Sequence, residues 1–180
     1  MPSPFVYDAP AILGLGPASS DPLPEPGPGE ITIRVGEWSP RDIPGCPNYF
    51  PSYQVWEGPL MNIPAVQCEN TQLGHGKLTP GVYCVRLPIP RTNYRHFPHA
   101  QRFLLPNEQV LPFALGAAVL LCHQQQTGKE LTCNWMRCAE QFPDGTRVTL
   151  YTRRSQVRYG GCRDREYNNG WIYLAGYRMC

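Results

Sequence analysis

The sequence predicts a mainly β fold: a compact antiparallel sandwich or barrel-like domain over residues 31–180, with one buried helix at about 112–126 and an extended proline-rich N-terminal arm over residues 1–30. Three observations carry this expectation. The chain holds 21 prolines and 17 glycines, 38 of its 180 residues, which favours short strands and many turns over long helices. Runs of β-branched and aromatic residues with period-2 alternation recur along it. Eight of the prolines (2, 4, 10, 17, 22, 24, 26 and 28) fall in the first thirty residues, where each fixes φ and removes a donor, so neither a long helix nor a central strand is expected there. A segment of that composition is polyproline-like or disordered when alone. It is expected to gain order by lying on something else, which points to a chain built into an assembly.

The elements follow in order. Ile31-Thr32-Ile33-Arg34-Val35 alternates and reads as a strand. Residues 36–66 are proline-rich irregular chain with a short strand at Tyr53–Trp56. Gly81–Leu87 is the clearest early strand, ended by Pro88 and Pro90, and residues 91–101, with Tyr94, His96 and His99, read as a loop. Pro112 suits a first helical position and Gly128 a stop. The body between them, Phe113 to Leu121, is apolar on all sides and so belongs in the interior, although a run this short also fits a core strand. Leu131–Arg137 reads as a strand. Pro143-Asp144-Gly145 is a turn into Thr146–Thr152, with Val148 and Leu150 on one side and Arg147, Thr149, Tyr151 and Arg153 on the other. Gln156–Tyr159 is a short strand. Asn168-Asn169-Gly170 is a hairpin turn feeding Trp171–Arg178, because Asn-Gly accepts positive φ at both turn positions.

Charge is small overall, +2, but unevenly spread. Residues 1–40 carry five acids (Asp8, Asp21, Glu25, Glu30, Glu37) against Arg34, and residues 141–180 carry seven arginines against Asp144, Asp164 and Glu166. The acidic arm is therefore expected to dock on the basic tail of its own or a neighbouring subunit. Asp21, Glu25 and Glu30 on one side, and Arg147, Tyr151, Arg153, Arg154 and Arg158 on the other, are the candidate partner-binding residues. Of the 16 bases only Lys77 and Lys129 are lysine; arginine's planar fork suits interfaces.

Eight cysteines (46, 68, 84, 122, 133, 138, 162 and 180) are an even count that suggests disulfides. Met1-Pro2 is not the start of a secretory leader, which argues instead for a reducing compartment and free buried thiols. Cys133 and Cys138 have four residues between them, loose for a zinc knuckle even with Cys122, His123 and Cys162 nearby. No metal or other cofactor is expected. The four histidines lie in no nucleophile motif, the carboxylates do not cluster, and no phosphate-binding glycine motif follows a strand, so no catalytic residue is assigned and an enzyme is not expected. The longest apolar run, Phe113–Cys122, is half of the roughly 20 residues a membrane span needs.

These readings point to a structural subunit of a large ordered assembly: a minor capsid, cement or decoration protein of a virus or phage particle, located in the virion or another extracellular particle. Its partners are other protein subunits, including copies of itself. Two different readings stand beside it. One is a cysteine-rich secreted-type binding module. The other is a nucleic-acid-binding protein using the arginine- and tyrosine-rich C-terminal sheet, the less favoured because such domains are far more basic.

Overall fold

The computed structural model describes residues 5–39, 42, 77–132, 134–142, 145–153, 156–164 and 172–180. Among the described residues, eight strands and three helices follow in the order β1 (Phe5–Asp8), α1 (Ala9–Ile12), β2 (Ile31–Val35), β3 (Gly81–Ile89), α2 (Phe97–Ala100), β4 (Gln109–Val110), α3 (Phe113–Thr127), β5 (Trp135–Gln141), β6 (Arg147–Arg153), β7 (Gln156–Cys162) and β8 (Ile172–Met179). A 3-10 turn at Gln101–Phe103 extends α2.

The fold is mainly β, but it is one mixed open sheet rather than an antiparallel sandwich or barrel. The strand order is β1-β2-β3-β8-β5-β6-β7, with β4 also pairing β8. Two neighbours run parallel, β1 with β2 and β5 with β8. The expectation of a purely antiparallel fold rested on hairpin signals, which report only local pairing. Here β8 joins strands distant in sequence.

Strand β2 occupies the predicted residues. Strand β3 runs through Pro88 to Ile89 instead of stopping before it, with a register shift against β8 between Arg86 and Ile89. A bulge is where a strand tolerates the missing donor. Strand β5 begins at Trp135, four residues later than expected, and β7 extends to Cys162. The expected strand at Tyr53–Trp56 and the turn at Asn168-Asn169-Gly170 lie outside the described residues. Among the described residues β7 and β8 do not pair with each other: β8 pairs with β3, β4 and β5 while β7 pairs with β6. Leu174 and Ala175 are both fully buried, and a central strand is what an apolar segment with two buried faces requires.

Helix α3 confirms the reading of 112–126. Pro112 is its N-cap residue, and Gly128 ends it in the left-handed region at φ 68°, its N–H bonding the Gln124 carbonyl. Every residue from Phe113 to His123 is buried. The carboxylate of Glu140 on β5 accepts the Phe113 N–H at 2.9 Å, satisfying one of the donors that a helix start leaves open.

The sheet is covered on both faces. On one, α3 packs against β1, β5, β6, β7 and α1, and Ile33, Val85, Leu115, Leu120, Met136, Val148 and Leu150 form the main core. On the other, Ile89, Phe97, Ala100 and Leu174 form a smaller cluster with Phe103, Leu104 and Val110. Its cover is the 91–103 segment: 91–96 is turn and irregular chain as expected for a loop, while 97–101, also expected as loop, folds into α2 and the start of the 3-10 turn. Leu174 and Ala175, adjacent in β8, serve opposite clusters, as period-2 geometry demands.

The first part of the arm is inside this architecture. Residues 5–8 form an edge strand, and Tyr7, Ala9 and Leu13 are buried in the main core. An edge is the place in a sheet that proline-rich sequence can occupy, and Pro10 sits in the first turn of α1, where its missing donor is harmless. Most of residues 14–29 remain exposed.

Candidate interaction sites

Two regions gather the residues that the sequence singled out. The first is the seat of the N-terminal strand. Tyr7 reaches across to α3, where its hydroxyl lies 2.8 Å from His123 Nδ1, both groups buried. The Phe5 ring meets the same imidazole edge-on at 5.1 Å. Burial, reinforced by the Cys122 thiol, pushes the Tyr7 phenol well up, so it stays protonated; burial pulls His123 down, so the ring stays neutral, and the two share one hydrogen bond between uncharged groups. Asp8 accepts from Arg34 Nη1 at 3.0 Å and from the Ser19 N–H at 3.1 Å. Arg34 Nη2 also donates to the Asp21 carbonyl at 2.7 Å.

The arm closes on Glu30. Its carboxylate takes both Nη groups of Arg178 on β8, one at 2.9 Å, and the Gly27 N–H at 3.1 Å. The Arg178 hydrogen bond, aided by that N–H and by the charges of Arg178 and Arg86, outweighs burial and holds Glu30 below the usual carboxylate range. Beside it Arg86 holds Glu108 through its Nε and Nη2. Burial opposes ionisation of Glu108, but the Arg86 and Leu105 N–H hydrogen bonds outweigh it and lower its pKa. Of the three acidic candidates, Glu30 thus meets the basic tail of its own chain, at an arginine not singled out from sequence. Asp21 uses its backbone, and Asp21 and Glu25 are exposed.

The second region is the sheet face under α2. Arg147 is buried and grips Asp164 through Nε at 2.8 Å and Nη2 at 2.9 Å. Its Nη1 donates to the Ala139 carbonyl at 2.6 Å, and its guanidinium lies 3.6 Å from the Phe97 ring centroid. The Phe97 N–H in turn bonds the Asp164 carbonyl, tying α2 to the end of β7. Tyr151 is buried and stacks on Trp135, centroids 4.6 Å apart and planes 10° from parallel. Arg153 ends β6 opposite Gln156, and Arg158 on β7 stands opposite Tyr151. Arg154 lies outside the described residues.

So the face expected to offer Arg147 and Tyr151 outward is covered. Both side chains are engaged within the chain, because the 91–103 segment forms a second layer that its loop-like sequence concealed. The residues that organise this face, Asp164, Phe97, Trp135 and Arg137, were not singled out. Arg137 had a visible signal: an arginine between the apolar Met136 and Cys138 in a strand otherwise fit for a core.

Cys84 on β3 is disulfide-bonded to Cys180 just beyond β8, Cα atoms 5.9 Å apart, while Cys122 and Cys138 are buried free thiols and Cys162 is buried. Burial pushes the Cys122 and Cys138 thiols up, which keeps them protonated and unreactive. Among the described residues no group of three His, Cys, Asp or Glu side chains is placed to hold a metal ion, and no helix is long and apolar enough to cross a membrane. No family model, curated protein or solved structure matches the chain.

Proposed function

We propose that the protein is a non-catalytic structural subunit of a large ordered assembly, a minor capsid, cement or decoration protein of a virus or phage particle, whose N-terminal segment contacts neighbouring copies. The carrying observation is the construction of that segment. A four-residue edge strand, seated by Tyr7 in the core, connects to β2 through a stretch that is mostly exposed from Gly14 to Gly29. A short edge strand on a long proline-rich tether is suited to exchange, since the same seat on a neighbouring copy accepts it with the same contacts. The particle setting rests on the arm and on the arginine-biased composition.

The test is the mass of the native species across protein concentration, with limited proteolysis of residues 1–30 before and after assembly. The expected result is self-association accompanied by new protection between residues 14 and 29. A chain that stays monomeric at every concentration with that stretch already protected overturns the proposal. The cysteine-rich binding module is a second reading, favoured by the Cys84–Cys180 disulfide; a stable monomer dependent on that bond would be its signature.

A further inference from the structure

On the sheet face beneath α2, one guanidinium has no counter-charge among the described residues. Arg137 is 1% exposed, the largest of the fully buried side chains. Of its five N–H donors, Nη1 reaches the Arg95 carbonyl at 2.6 Å, and Nε is buried with no acceptor. No carboxylate among the described residues pairs with it. Asp164, on the same face, is taken by Nε and Nη2 of Arg147. A buried cation without a counter-charge is costly, far more so than a buried neutral polar group.

A second unmet group stands beside it. Thr149 is directly opposite Arg137 in the β5–β6 ladder, so the two side chains share a face and are neighbours. Thr149 is fully buried, and its Oγ1 also has no partner. On the next strand Gly160 stands opposite Thr149 and contributes no side chain to the row. The Trp135–Tyr151 stack bounds the row on one side, and Arg147, two residues from Thr149 on β6, bounds it on the other. The segment carrying Arg95 and Phe97 covers it.

We propose that the Arg137–Thr149 row is a binding site for a small oxyanion, a planar carboxylate or a tetrahedral phosphate or sulfate. The anion accepts from the free side of the Arg137 fork and from the Thr149 hydroxyl. Arginine's fork matches both oxyanion geometries, and the bound charge balances the excess of two buried guanidiniums over Asp164. The 91–103 segment covers the bound ligand, which exchanges with solution. This site does not depend on the assembly reading.

Calorimetric titration and thermal unfolding of the full chain with phosphate, sulfate, acetate or chloride at matched low-millimolar ionic strength test it; that range lies below general salt stabilisation. The expected result is saturable binding of at least one oxyanion, with a melting temperature that climbs with its logarithm while chloride has no effect. The phosphate and acetate arms distinguish tetrahedral from planar ligands. Arg137→Met abolishes the response, Arg137→Lys weakens affinity about tenfold or more by losing the fork, and Thr149→Val weakens it less. No oxyanion response in the wild-type chain, or an undiminished response in Arg137→Lys and Thr149→Val, overturns the proposal even if Arg137→Met does not fold.

Discussion

The hydroxyl of Tyr7 and Nδ1 of His123 meet at 2.8 Å in the interior although 116 residues separate them in sequence. This contact ties an edge strand, the least secured kind of element, to the best-buried helix. Because β1 precedes the exposed tether, the bond also fixes how firmly the N-terminal segment is held.

Its pH dependence has a definite sign. His123 is held neutral by burial, so its folded pKa lies below the ordinary value of 6.5. Below that value the unfolded chain binds the proton more readily than the folded one, and stability falls with pH until the folded pKa is passed; above it this contribution is fully present. Urea unfolding from pH 7.5 down to 5 should show this loss, and His123→Gln should flatten that part of the profile. Tyr7→Phe should cost about 1–2 kcal/mol, the range for losing a buried hydrogen bond, and should expose residues 1–30 to protease first. An identical pH slope in His123→Gln would show that another group dominates this window.

Neutralising the acidic segment should act mainly through one residue. Glu30 is half-buried against Arg178, whereas Asp21 and Glu25 are exposed. Exposed pairs contribute about 0–1 kcal/mol and bidentate, partly buried ones more. Glu30→Gln alone should therefore reproduce most of the loss seen when Asp21, Glu25 and Glu30 are changed together. Since the folded pKa of Glu30 lies below its ordinary 4.5, its contribution is present above that value and lost as pH falls through the folded pKa. A double-mutant cycle with Arg178→Met measures the coupling, and additive effects would mean the pair is energetically silent.

Gly116 is a contact glycine. A Cβ there would lie 2.6 Å from Leu150 Cδ2 and 3.0 Å from Leu111 Cδ2. Gly116→Ala should destabilise by about 1–3 kcal/mol through overpacking, overriding the roughly 1 kcal/mol that alanine gains as a helix former. Adding Leu150→Val should recover part of the loss. A higher melting temperature in Gly116→Ala would mean that the helix moves off β6 freely.

The Cys84–Cys180 bond closes 96 residues. Loop-closure arguments give about 4–5 kcal/mol for so long a loop, while measured disulfides deliver about 2–4 kcal/mol. Cys180→Ser, or reduction without denaturant, should lower the melting temperature accordingly. Equal melting temperatures with and without reductant would show that the native pairing of β3 with β8 needs no covalent tie.

What the sequence made legible was local. Helix α3 was readable because Pro112 and Gly128 punctuate one apolar run, and β2 because five residues alternate cleanly. The hairpin into β6 was readable from Gly145, which sits at φ 82°. What stayed hidden depended on partners far along the chain. Strand β1 was masked by prolines that are harmless at an edge. The Arg147 and Tyr151 face looked exposed because its cover, 91–103, carries no helical periodicity. The place of β8 was misread because an Asn-Gly turn announces a hairpin but cannot say which strands will claim the residues after it.

The sheet order has a consequence for synthesis. Strands β1–β3 and β5–β7 form two three-stranded halves, and β8 is the slat that joins them. Until residues 172–179 have left the ribosome, β3 and β5 each present an open row of backbone donors and acceptors. Such rows recruit other nascent chains. A chain interrupted before Ile172 would therefore be sticky rather than merely loose, and polysome-bound copies would be the stage at which this protein most needs a chaperone.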